Sequence, residues 1–135
     1  MSYGITQYLA NALLAEILGG GNAVNYAPPS NLYVQLHTGA PGASGTTNIS
    51  TGCTTRQPIA FATPSSGSIT LAGTNPTFTC GGSSVTETLT GISIWDAATG
   101  GNCIWTEALN TSRSWSTGDS YTLTSDQLSI GALAS

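Results

Sequence analysis

Apolar residues follow a helical period at the start of the chain and a strand period after it. Ile5, Leu9, Leu13 and Ile17 fall on one i, i+4 row, widened by Tyr8 and Ala12, and predict an amphipathic helix over residues 5–18. Ser2 or Thr6 supplies an N-cap, and the glycine run 19–21 supplies the stop. Leu14 and Leu18 lie off the row, so the helix has apolar surface on more than one side. From residue 31 the period changes to two. Leu32, Val34 and Leu36 alternate with Tyr33, Gln35 and His37 in a half-buried strand over 31–38, which places His37 on the polar side.

Residues 39–52 are Gly, Ala, Ser, Thr, Pro and Asn for the most part, too polar for core and too long for a tight turn, so an exposed loop is expected. Strand patterns return at 54–62, where Pro58 demotes the run to an edge or a bulge, then at 68–72, 77–80 and 85–95. Between 91 and 110, the run with Ile92, Ile94 and Trp95 and the run with Cys103, Ile104 and Trp105 flank a turn-rich centre, the pattern of a β-hairpin. Asp96 closes its turn, and Gly100 and Gly101 provide positive φ angles. A second turn at 116–119 leads to short strands at 121–123 and 128–130. The whole predicts one domain over 1–135, mainly β: an antiparallel β-sandwich or small barrel over 31–135 with one N-terminal α-helix. No fixed-period repeat is present, which argues against a solenoid or a repetitive fibre shaft.

Charge narrows the choice of partners. The chain has two arginines, six carboxylates and no lysine, for a net charge of −4, against roughly 25% charged residues in an ordinary soluble domain. Nucleic-acid affinity rests on clustered Lys and Arg, so no nucleic-acid partner is expected. Weak self-repulsion suits packing against copies of the chain or a larger assembly. The N-terminal apolar stretch carries Glu16, lacks a basic leader and is too short to span a bilayer. Synthesis and folding in a cytoplasm are expected, without a membrane partner. Cys53, Cys80 and Cys103 show neither metal-ligand spacing nor an even count, and read as free, buried thiols.

Candidate chemistry is sparse. His37 is the single histidine and has no acidic sequence neighbour, so it reads as a surface or interface residue rather than a base. The carboxylates are dispersed, and a glycosidase pair would need Glu87 and Glu107, or similar residues, to converge. Without lysine there is no P-loop. No catalytic, cofactor-binding or metal-ligating residue is assigned. Trp95, Trp105 and Trp115, with Tyr33 and Tyr121, leave open a carbohydrate-binding module, because aromatic faces stack on sugar rings. Tryptophans beside turn-flanked strands are also ordinary core or subunit-contact residues.

Five ordered segments resemble a family of small tailed-bacteriophage virion proteins commonly labelled tail fibre proteins. They are the helix 8–14, then 29–38 (Pro-Ser-Asn-Leu-Tyr-Val-Gln-Leu-His-Thr), 55–61, 91–102 (Gly-Ile-Ser-Ile-Trp-Asp-Ala-Ala-Thr-Gly-Gly-Asn), and 108–113 with 116–120. The resemblance implies a non-enzymatic structural protein of the virion, built as an oligomeric surface module. Its expected partners are itself, as a homotrimer, and other virion proteins such as a major capsid or tail protein. The lack of a repetitive shaft favours a capsid decoration (cement) protein, whereas the family label favours a tail fibre component contacting the host. A glycan-binding module is the alternative from a different class. Ile5, Leu9, Leu13 and Ile17, with the 39–52 loop, are the expected assembly or partner surfaces.

Overall fold

A computed structural model describes residues 3–18 and 27–130. The chain runs β1 (Gly4–Ile5), α1 (Gln7–Leu18), β2 (Leu32–His37), β3 (Gln57–Phe61), β4 (Ser68–Ala72), β5 (Thr77–Thr79), β6 (Thr86–Trp95), β7 (Cys103–Ser116), β8 (Ser120–Thr122) and β9 (Gln127–Ser129). Seven strands, in the order β1-β7-β6-β2-β3-β4-β9, form one antiparallel sheet that curls into a nearly closed barrel. A two-stranded sheet, β5-β8, packs beside it. The mainly β architecture with one leading helix agrees with the sequence pattern.

Strand pairing follows hydrophobic alternation. In β2, Val34 and Leu36 are fully buried and pair with Ile94 and Ile92 of β6, so two central strands bring four aliphatic side chains into one core. Phe78, Cys80, Leu89, Trp115 and Leu123 extend that core under β5-β8. Pro58 pairs opposite Tyr33 on β2, while β4 pairs only with Ala60 and Phe61 of the same strand. The missing proline N–H therefore falls on a stretch of β3 with no named strand pair on its second side, as the sequence required.

The helix starts later than the periodicity implied. Ile5 belongs to β1, paired with Trp105, and the helix spans Gln7–Leu18. Thr6 causes the change. Its hydroxyl caps the helix by accepting from the Leu9 N–H at 3.5 Å, and donates to the Cys103 carbonyl at 2.7 Å, tying the helix start to β7. The other proposed cap, Ser2, and the glycine stop at 19–21 lie outside the described residues.

His37 requires a correction, because it is fully buried rather than on a polar face. Its Nδ1–H donates to the Thr47 carbonyl at 2.8 Å, and its Nε2 accepts from the Ser93 hydroxyl at 2.7 Å. Ser93 Oγ in turn accepts from Trp95 Nε1 at 2.7 Å. This chain of bonds commits both ring nitrogens in a neutral tautomer, and burial lowers the imidazole pKa below its ordinary value of 6.5. The cover is the 39–52 loop, which is less exposed than expected. Residues 43–44, 46–48 and 51 face solvent, whereas Pro41, Gly45, Ser50 and Gly52 are buried. Thr38 and Ser50 bind the loop back to itself and to Leu36 through backbone bonds of 2.8 and 3.0 Å. Gly45, at φ +70°, lies so close to Cys103 and Trp95 that an added Cβ would be 2.6 Å from Cys103 Sγ.

Candidate functional site

The residues expected to form a partner surface divide between two roles. Ile5, Leu9 and Leu13 wall one side of an apolar cleft of about 240 Å³, with Phe61, Ile94 and Leu128 opposite. Leu9 also packs on the core, yet no residue of α1 is fully buried. Ile17 is 74% exposed and leaves the cleft, joining Leu14 and Leu18 on an outer face. All the exposed large apolar side chains among the described residues lie at 3–18 or at Ile130, which borders the same cleft. Apolar exposure is concentrated on the β1-α1 segment and at Ile130. No helix among the described residues is long and apolar enough to cross a membrane.

The hairpin tip is the opposite kind of surface. Asp96 accepts from the Asn102 N–H at 2.7 Å and from its side-chain amide at 3.0 Å, closing the 96–102 turn. Gly101 sits at φ +70°, where a Cβ would press on Asp96 Oδ1 and Ala97. Arg56, from the segment before β3, donates to the carbonyls of Ala97 and Gly100 at 2.8 and 2.7 Å, and lies 3.4 Å from the centroid of the Trp95 ring. No local sequence motif pointed from Arg56 to this turn.

Glu87 and Glu107 are not brought together as a pair with open carboxylates, because Glu87 is tied up in bonds within the chain. Its carboxylate accepts from the Ser50 hydroxyl, from the Thr51 N–H and hydroxyl at 3.0 and 2.9 Å, from the Gly52 N–H at 3.1 Å and from Trp115 Nε1 at 2.9 Å. Burial pushes its pKa up, but the bonds from Ser50, Trp115 and Thr51 outweigh burial and hold the carboxyl at about 2. Glu87 therefore pins the end of the 39–52 loop to β6 and β7. The tryptophans are likewise internal: Trp95, Trp105 and Trp115 are 4%, 7% and 2% exposed, so none offers an open stacking face. Cys53, Cys80 and Cys103 are free, and burial pushes the Cys103 thiol up to about 11. Among the described residues, no three His, Cys, Asp or Glu side chains converge as a metal ion would require.

A polar groove of about 690 Å³ separates the Glu107–Arg113 stretch of β7 from residues 120–129. Glu107 and Asp126 both line it, an acidic pairing that their sequence spacing did not reveal. Asp126 Oδ2 is buried without a hydrogen-bond partner, and burial, together with Glu107, raises the Asp126 carboxyl to about 6.

No curated protein matches the chain. A protein-family model, described as podophage GP4 fiber I protein gp80, matches residues 4–131, a span that takes in α1, the barrel and the tightly knit hairpin alike. The chain thus belongs to the podophage GP4 fiber I protein gp80 family, a family of structural phage fibre proteins.

Proposed function

We propose that this protein is an oligomeric module of a phage fibre, and that its copies join through the outer face of α1. The exposure of Leu14, Ile17 and Leu18 together on α1 carries this reading. An apolar patch on an otherwise polar surface is the usual mark of a protein contact. A chain with so few charges also has few ions to desolvate on assembly. Cyclic symmetry would gather the helices of several copies around one axis, with a homotrimer as the expected state.

The fibre description of the family favours a tail position. Capsid decoration is the second reading, favoured by the β fold that the described residues form. Copy number separates them: a few tens of copies per particle fit the fibre, and hundreds would overturn it in favour of decoration. Light scattering tests the contact itself. The wild-type chain is expected at a multiple of 13.6 kDa, and a Leu14→Ser, Ile17→Ser, Leu18→Ser variant as a monomer. A monomeric wild type, or an oligomer untouched by the substitutions, would refute assembly through α1.

A further inference from the structure

β1 pairs with β7 only at Trp105 and Thr106, so beyond this point the barrel does not close, and the polar groove occupies the gap. One wall is irregular. The pair Leu89↔Arg113 is followed by Gly91↔Ala108, so β6 contributes only Thr90 where β7 contributes Leu109, Asn110, Thr111 and Ser112. This bulge turns β7 into the groove and breaks the ladder that an added strand would need. The opposite wall is fixed by backbone bonds, Leu71 N–H to the Asp126 carbonyl and Leu123 N–H to the Pro76 carbonyl, both 2.9 Å. Two buried oxygens beside this region, Thr90 Oγ1 and Asp126 Oδ2, have no hydrogen-bond partner. Buried polar atoms in a folded protein are ordinarily satisfied, so the unpartnered oxygen of Asp126 leaves unused hydrogen-bonding capacity in a residue that lines the groove.

We propose that the groove is a saccharide-binding site in which Asp126 and Glu107 accept from ring hydroxyls, Asn110 and Arg113 donate to ring oxygens, and Tyr121 supplies an aromatic wall. The mixture of groups selects the ligand class. A bare cation would meet Arg113, and an anion would meet Glu107 and Asp126, whereas a neutral polyol uses acceptors and donors together. The volume lies within the usual range for small-molecule sites. This location is separate from the buried tryptophans, and does not depend on how copies of the chain assemble.

The test is a titration of the ¹⁵N-labelled full chain with D-glucose, D-galactose, L-rhamnose and N-acetyl-D-glucosamine, and separately with calcium chloride, followed by amide shifts. At least one sugar is expected to move resonances confined to 107–113 and 120–127. Asp126→Asn is expected to weaken that sugar ~10-fold, through loss of a hydrogen bond to a charged acceptor. Asn110→Ala, on the exposed bulge, is expected to weaken it less while keeping the spectrum of the folded chain. The proposal is overturned by silence with all four sugars, or by shifts beside Trp95 and Trp105 instead. Variants that bind as wild type, or groove shifts with calcium alone, would overturn it equally.

Discussion

At the tip of the β6-β7 hairpin, Asp96, Arg56 and Trp95 find their partners within the chain, whereas α1 leaves Leu14, Ile17 and Leu18 uncovered at the other extreme of polarity. The two regions are neighbours: Thr6 ties the helix start to Cys103, the first residue of β7. One region has spent its interaction capacity on folding, and the other retains it. A strong local signature in this protein therefore marks a structural joint, and the surface available to a partner is found where side chains remain unsatisfied.

The largest test of this contrast is Trp95→Ala. It removes a ring that is 4% exposed and carries the guanidinium of Arg56, and is expected to cost ~3–5 kcal/mol in urea unfolding. A cost below about 1 kcal/mol would show that the tip is not the joint described. Gly101→Ala is expected to cost ~1–3 kcal/mol, because it forces a side chain into a left-handed conformation against Asp96, and Gly100→Ala, with open space around its Cβ, should cost less.

Glu87→Gln is expected to cost about 1–3 kcal/mol near neutral pH by weakening bonds to a charged acceptor. Its pH dependence has a definite sign. The folded value of about 2 lies below the ordinary 4.5, so the stabilisation is present above pH 4.5 and is lost as the pH falls towards 2. His37 adds acid sensitivity at higher pH: its lowered value means that the unfolded chain takes the proton first, and stability falls as the pH drops through 6.5.

Asp126 has the reverse sign. Its folded value of about 6 exceeds the ordinary 3.8, so its contribution to stability is lost as the pH rises through 6. Asp126→Asn is accordingly expected to stabilise the protein by about 1 kcal/mol near neutral pH, with the gain shrinking towards pH 4, as thermal melts would report. A destabilised variant at neutral pH would mean that the carboxylate is satisfied after all. The smallest stability effect belongs to the helix: Leu14→Ser, measured under dissociating conditions, is expected to change unfolding by only about 0.5 kcal/mol. A cost of several kcal/mol there would show that the outer helix face supports the fold of the single chain.

Period and punctuation made most of the architecture legible. Alternation in 32–37 and 86–95, and the glycine-rich turn between Trp95 and Cys103, report local geometry that each segment carries with it. The β4 strand occupies 68–72 as expected, and β1 leaves no mark in the pattern because two residues are too few to show a period. Of the helix row, Leu9 and Leu13 do line an apolar cleft, but nothing in their spacing separates them from Ile17, which faces solvent. The polar residues were harder. Burial of His37, the bonds that hold Glu87 and the stacking of Arg56 each join groups 37 to 56 positions apart or across separate strands.

The sequence by itself determined a mainly β chain with one leading helix, a hairpin closed at 96–102, and a surface almost without charge. Those properties follow from side-chain period, backbone preference and composition, all of which act locally. Only the tertiary structure decided which polar groups are satisfied, which apolar ones stay uncovered and where the barrel remains open. These depend on strand register and on the β7 bulge, which bring distant residues together and set the balance of desolvation against hydrogen bonding at each of them.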